Sequence, residues 1–225
     1  MLKLSEYKNM APVLLYDLAS WGETLGDCLT QTYKAGELIR MQGSEEGDVV
    51  ILKEGFSVIS VLLGDGTETI QHIGGPGCSF GYIAASSGLP YMSTIRAYTD
   101  CKCYIIPNKK VQYLVENEPD FTINTLRISS MQGDLYFQRI SLLAIPQSGV
   151  RLLHLLLGFG ASTGRKKSDG RIVIQLELTH QLLSEILQVN RVTISRLMSS
   201  FAQKGAVIKN GKYYELCLEK IEELL

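Results

Sequence analysis

The sequence predicts an α+β chain in three parts. These are an N-terminal antiparallel β-roll of the cupin or jelly-roll kind, a long helix suited to pairing with its copy, and a C-terminal winged helix-turn-helix. Three observations carry this. Between about Gln31 and Pro107, short β-branched and aliphatic runs are cut by glycine turns at the spacing of a small barrel or sandwich. From Asn108 to a break at Pro146, apolar residues recur at intervals of three and four. From Thr179 to Gly205, two helix starts flank a short turn. At 225 residues the chain suits two modest domains against about 100 to 200 residues per domain. The expected division is 1–107 for the β-roll with an N-terminal helix, 108–145 for the long helix, and 146–225 for the helix-turn-helix part.

In order along the chain, a helical prelude is expected from Met10 to about Thr30. Runs such as VVILKEG and STIRAYTDCKCYII then read as strands, and Gly64-Asp65-Gly66 as a hairpin turn, because glycine and aspartate tolerate the positive φ of tight turns. In the long helix Ile128, Met131, Leu135, Gln138 and Leu142 form a coiled-coil-like seam, which favours a homodimer over a helix packed only on its own barrel. Gly133 inside it costs about 1 kcal/mol relative to alanine. Pro146 removes a backbone donor and ends or kinks the helix.

A helix around Val150 to Phe159, a basic loop and a strand-like IVIQLEL follow. Thr179 is a good N-cap for a helix over His180–Leu187, and Asn190 for one over Arg191–Lys204, closed by Gly205. Leu183, Leu187, Val189, Ile194 and Leu197 lock the pair at a steep angle, with small Ser184 permitting close approach. Gln188 stands in the turn where glycine is usual, which implies a left-handed or near-bridge backbone. The segment VIKNGKYYEL reads as a wing around Asn210-Gly211. Arg191, Val192, Thr193, Ser195 and Arg196 on the second helix, with Thr179, Lys209 and Lys212, are the candidate DNA contacts, since arginine pairs with guanine or phosphate and valine meets a thymine methyl.

Hydrophobic residues at 45% and charged residues at 20% exclude a disordered or fibrous chain. No apolar run reaches the roughly 20 residues that span a bilayer, and the first residues lack a signal peptide's apolar stretch, so a cytoplasmic chain with no membrane partner is expected. Residues 1–145 hold 11 Lys/Arg against 16 Asp/Glu, whereas residues 146–212 hold 10 against 3. A cationic end beside an acidic one suits a polyanion partner, although a solvated basic face gives the same arithmetic. The five cysteines, Cys28, Cys78, Cys101, Cys103 and Cys217, read as reduced thiols rather than a disulfide framework or a metal set. No nucleophile, carboxylate pair or phosphate loop points to an enzyme.

This order of parts, with KAGELIRMQGSEEGDVVILKEGFSVI, GCSFGYIAASSGLPYMSTIRA and NRVTISRLMSSFAQKGAV, resembles the CRP/FNR superfamily of bacterial transcription regulators over nearly the whole chain. The resemblance implies a signal bound in the roll and two recognition helices presented to a palindrome, with RNA polymerase a further partner in an activator. In the cyclic-nucleotide branch a glutamate follows the FG of the cassette and an Arg-Ser pair lies near its end. Here those places hold Tyr82 and Tyr91-Met92, and a neutral aromatic cannot make the charge-assisted phosphate contact of arginine. Only Cys28 precedes Cys78, which disfavours an iron–sulfur cluster. His72 and Cys78 are the sole candidate haem ligands, and a lone strand histidine is more often structural. The expected effector pocket is Tyr82, Ile83, Tyr91, Met92 and Ser93 with Arg127 and Met131 of the helix. It suits a small aromatic or hydrophobic anion, as in members that sense halogenated phenols, which also put valine in the recognition helix. The competing reading is an effector-binding module that acts through protein partners with a degenerate helix-turn-helix.

Overall fold

The computed structural model describes residues 2–225. Its contacts group Leu14–Gly133 into one compact unit, and Asp134–Leu225 with the N-terminal residues up to Val13 into another. The division thus falls inside the long helix, and the N-terminal segment groups with the C-terminal unit, unlike the three-part division expected from the sequence.

The first unit holds two antiparallel sheets. One contains β1 (Val13–Leu14), β3 (Leu38–Arg40), β5 (Ser57–Leu62), β6 (Glu68–Gly74) and β8 (Thr94–Ala97) in the order β1-β6-β5-β8-β3. The other contains β2 (Leu29–Tyr33), β4 (Val49–Glu54), β7 (Ser79–Phe80) and β9 (Cys101–Ile106) in the order β2-β9-β4-β7. Val49 to Leu52 are all buried, so β4 reads as a continuous apolar run rather than an alternating one. The Gly64-Asp65-Gly66 turn closes the β5–β6 hairpin, where the Asp65 side chain accepts from the Thr67 amide at 2.9 Å. The helical prelude is not found as such. It is a 3-10 helix over Leu4–Met10, another over Leu18–Leu25, and strand from Leu29. Pro12 and Gly22 interrupt any longer helix, the latter with φ 57°. Trp21 anchors the second turn, its Nε1 donating to the Gly77 carbonyl at 3.0 Å and its ring tilted on Phe121 at 5.7 Å.

Three helices complete this part of the chain: α1 (Tyr82–Ser87), α2 (Asn108–Asn117) and α3 (Pro119–Leu143). The helical stretch from Asn108 is thus two helices. Pro119 pushes the residue before it out of the helical region, and Glu118 is extended at φ −118°, ψ 91°.

The second unit contains α4 (Ser148–Thr163), β10 (Gly164–Lys166), β11 (Ile172–Ile174), α5 (His180–Leu187), α6 (Arg191–Gln203), β12 (Val207–Asn210), β13 (Tyr213–Leu216) and α7 (Leu218–Glu222). Its antiparallel sheet runs β10-β11-β13-β12. Of the strand-like IVIQLEL only Ile172–Ile174 is paired. The 3-10 turn Leu4–Met10 packs on α4, where Tyr7 meets His154 edge-on at 5.5 Å and Ser162 donates to the Lys8 carbonyl at 3.0 Å. Gly158 allows this seating, since a Cβ there would overlap the backbone nitrogen of Ala11.

Gly158→Val therefore tests whether this seating matters. Overpacking a backbone contact of this kind costs about 1–3 kcal/mol, and urea unfolding of the variant should show a midpoint lowered accordingly. An unchanged midpoint would mean that the N-terminal segment does not sit against α4.

Candidate functional site

The helix pair of the second unit is built as its sequence requires. Thr179 caps α5 by accepting from the Leu182 amide at 3.0 Å, and Asn190 caps α6 by accepting from the Val192 amide at 2.8 Å. Between them Gln188 sits in the left-handed region at φ 52°, ψ 48°, the one non-glycine residue with positive φ among the described residues. Leu183, Leu187 and Ile194 are fully buried between the helices. On the outer side of α6, Arg191, Val192 and Arg196 are exposed and Thr193 is half-buried. Lys209 on β12 and Lys212 in the wing turn are exposed too, the latter with its ammonium 5.3 Å from the Tyr213 ring centre.

Two expected contacts are engaged inside the unit. The Thr179 hydroxyl is the α5 cap, and the Ser195 hydroxyl is half-buried 2.8 Å from Nδ1 of His180. No motif singles out His180, because a histidine in the first turn of a helix carries none. Its Nε2 lies 3.2 Å from the Tyr214 hydroxyl on β13. Burial, then Lys209 and Arg191, holds its pKa below the ordinary histidine value. The wing rests on buried Glu215, which accepts from Lys167 at 3.1 Å, Arg171 at 2.8 Å and Asn210 at 2.8 Å. The Asn210 amide and these two cations hold its carboxyl below the ordinary glutamate range against the opposing effect of burial.

The cassette of the first unit divides its expected residues. Tyr82 and Tyr91 turn inward, Ser93 is half-buried, and Ile83, Met92, Arg127 and Met131 are exposed. The Tyr82 ring meets Phe121 of α3 edge-on at 6.3 Å. Its buried hydroxyl lies within reach of the Ser79 and Thr125 hydroxyls. Burial pushes the Tyr82 phenol up. Tyr91 is fully engaged: its hydroxyl donates to the Asp48 carbonyl at 2.6 Å and reaches the Asp48 carboxylate at 2.9 Å. That carboxylate is paired with Arg40, whose Nε lies 2.9 Å away. Gly81 makes room, since a Cβ there would overlap the Asp48 carbonyl and the Tyr91 hydroxyl. His72 stacks on Phe80 at 6.0 Å inside the roll, and burial holds the Cys78 thiol up. Among the described residues no three of His, Cys, Asp and Glu are grouped as a metal site would require.

Helix α3 corrects one expectation. Ile128, Leu135 and Leu142 of the expected seam are 0%, 6% and 2% exposed, buried in the protomer itself. The opposite face carries Ile123, Leu126, Phe137 and Ile140 at 44%, 66%, 74% and 67% exposure, with Ser130 and Gly133 between them. Spacings of three and four fit either face, so the pattern could not say which one meets its own core.

The family of cyclic nucleotide-binding domains matches residues 30–118, and that of Crp-like helix-turn-helix domains matches residues 150–225. A global nitrogen regulator of Nostoc is 26% identical over 179 residues, 80% of this chain and 67% of that protein. A CRP-like cAMP-activated global transcriptional regulator of Mycobacterium tuberculosis is 21% identical over 80% of each chain. Among solved structures, a CooA mutant from Carboxydothermus hydrogenoformans superimposes with TM-score 0.79 at 20% identity over 96% of this chain and 98% of that one. CprK complexed with OCPA does so with TM-score 0.71 at 17% identity over 92% and 95%. No helix among the described residues is long and apolar enough to cross a membrane.

The buried Arg40–Asp48–Tyr91 cluster is testable by its asymmetry. Arg40→Leu strands a buried carboxylate and should cost about 3–5 kcal/mol, whereas Tyr91→Phe removes one hydrogen bond to a charged group and should cost about 1.5–3 kcal/mol. Urea unfolding of the two variants gives the order, and an Arg40→Leu protein as stable as the parent would remove the cluster from the structural core.

Proposed function

We propose that this chain, which belongs to the CRP/FNR family of DNA-binding transcription regulators, acts as a homodimer on palindromic duplex DNA under the control of a small effector that is not a cyclic nucleotide. The observation that carries the DNA reading is the outer face of α6, where Arg191, Val192 and Arg196 stand exposed beside Lys209 and Lys212. Arginine supplies bidentate contacts to guanine or phosphate, valine only an apolar contact to a thymine methyl, and the wing lysines a sequence-independent pull on the backbone.

The effector reading rests on the cassette. Where the cyclic-nucleotide branch has arginine, Tyr91 is spent on Asp48, and the cation of the cluster, Arg40, is itself spent on that carboxylate, so neither is free for a phosphate. The inward hydroxyls of Tyr82, Ser79 and Thr125 are what an effector would engage, and the aromatic surroundings of Phe121 and Tyr82 favour an aromatic or hydrophobic molecule with one polar group. Arg127 offers a cation at the exposed side of α3 for an anionic one.

Dimerisation follows from the uncovered stripe of α3. Ile123, Leu126, Phe137 and Ile140 are too many large side chains on one helix face to be left in water, and Gly133 at its centre, with nothing near its Cβ position, allows two helix backbones to approach.

Sedimentation at micromolar concentration should show a dimer, converted to monomer by Leu126→Asp with Phe137→Asp and unaffected by Gln138→Ala. A dimer that survived the double charge would require another interface.

Sequences selected from a random duplex pool should contain two half-sites about one helical turn apart, rich in A·T. Arg191→Ala or Arg196→Ala, whichever reads a base, should cost about 1–3 kcal/mol and relax one position, while Lys212→Ala should weaken all sequences alike and flatten the salt slope by about one unit. A protein whose affinity for duplex DNA ignored both arginines would instead fit an effector module acting through protein partners. Cyclic AMP added to the same binding reactions should leave affinity unchanged, and a response at micromolar cyclic AMP would overturn the account of the cassette.

A further inference from the structure

His180 occupies an unusual place in the winged unit: the first residue of α5, with one ring nitrogen on the recognition helix and the other on the wing. Its two bonds join three elements that sequence alone leaves independent. The remaining charged or titratable groups that face it are Arg191 on α6, Lys209 on β12 and Tyr214 on β13, the first two cations and the third its hydrogen-bond partner. Arg191 and Lys209 are also the residues the proposed function sets against DNA.

We propose that His180 is the positioning residue of the DNA-reading face and that its proton state sets which way the Ser195 hydroxyl points its proton, so that duplex binding takes up one proton. The inference rests on the DNA-binding reading above. A neutral imidazole has one N–H donor and one acceptor, a protonated one has two donors. We take the unbound tautomer to be the one with the proton on Nε2: that nitrogen donates to Tyr214, Nδ1 accepts from Ser195, and Ser195 turns only lone pairs outward. When solvent supplies a second proton, Nδ1–H donates to Ser195 Oγ, and the serine hydrogen is released toward a base acceptor or a phosphate oxygen. No bond within the unit is lost, since Tyr214 and Ser195 both accept.

The direction of the linkage follows from the neighbours. In the unbound protein burial and the two cations keep the ring neutral near neutrality. Phosphates that pair with Arg191 and Lys209 cancel that repulsion and bring negative charge of their own, so the ring's pKa rises on binding. A group whose pKa is higher in the complex makes the complex tighter as pH falls toward that value. Ser195, in turn, acts as a reader whose donor or acceptor character is set from within, and Asn at position 180 would hold the geometry of the Nδ1 bond without titrating.

The test uses the full-length protein and two duplexes of equal length, one selected from a random pool and one scrambled, with affinities measured from about pH 7.5 to about pH 6, the interval a histidine governs. The parent's affinity for the selected duplex should rise several-fold, approaching about tenfold per pH unit at the steepest for one linked proton. H180N should bind with a flat profile, and Y214F should bind more weakly but keep the slope. Ring resonances of the three histidines in the parent protein, titrated with and without the selected duplex, give the same answer with no substitution: one of them should shift its midpoint upward. A flat profile in the parent, an equal slope in H180N, or three unshifted midpoints would overturn the proposal while leaving DNA binding intact. Failure to bind the selected or any other duplex at every pH would instead remove the DNA-binding reading, and this inference with it.

Discussion

Helix α3 has to bury one face and cannot bury the other. At 100° per residue, Phe121, Asn124, Ile128, Leu135, Arg139 and Leu142 fall on one side, and every one of them is buried. Polar members of that face are bonded rather than merely hidden. Asn124 accepts from the Tyr16 hydroxyl at 2.7 Å and donates to the Ser20 carbonyl, and Arg139 donates to the Ile186 carbonyl at 3.2 Å, in the last turn of α5. A cation at a helix C-terminus meets the carbonyls that the helix itself leaves unsatisfied. Rotation of the first part of α3 must break the Asn124 bonds and rotation of its last part the Arg139 bond, so each sets the outward side of its own stretch, Leu126 in one and Phe137 with Ile140 in the other. Burying a side chain of that size is worth about 1.5–3 kcal/mol, which makes covering the stripe a strong drive for association and its exposure in an isolated chain a liability.

The winged unit uses its charges in two different ways. Lys167 and Arg171 count toward the basic excess of the C-terminal segment, yet both are bound to Glu215, and Arg171 also to Asp169 at 2.6 Å. They hold the β10–β11 hairpin to β13 and contribute little field outward. What remains to attract a polyanion is exposed on α6 and the wing, at Arg191, Arg196, Lys209 and Lys212, and on β10, at Arg165 and Lys166. Charge arithmetic along the sequence therefore overstates the basic surface in amount and says nothing of its place.

Local signals were legible, and face assignments were not. The caps at Thr179 and Asn190, the left-handed Gln188, the β5–β6 turn and the wing all depend on interactions within a few residues, which sequence encodes directly. The seam of α3 was misassigned because helical periodicity reports that a face is apolar without naming what covers it. The prelude failed for a related reason: Pro12 and Gly22 break the helix, but the 3-10 turns that replace it are held by distant partners, Gly77 and Phe121 for Trp21 and α4 for the first turn. His180 was invisible because its partners, Ser195 and Tyr214, lie 15 and 34 residues away. Within the cassette, the substitution of Tyr91 was evident but its consequence was not, since nothing in the sequence ties it to Asp48 and Arg40.

The two ends of that cassette differ in how firmly they are held. The Tyr91–Asp48 contact fixes one end of the cassette, and Gly81 lets its backbone close against them. The inner end gathers the hydroxyls of Tyr82 and Ser79 beside Thr125 of α3. A molecule that hydrogen-bonded with these hydroxyls would do so only in the arrangement where α3 and the cassette are held together. Thr125 adjoins Leu126, the first fully outward member of the exposed stripe after Ile123. A ligand there would therefore bias the one helix whose other face must find a partner, and no charged anchor is needed for it to do so.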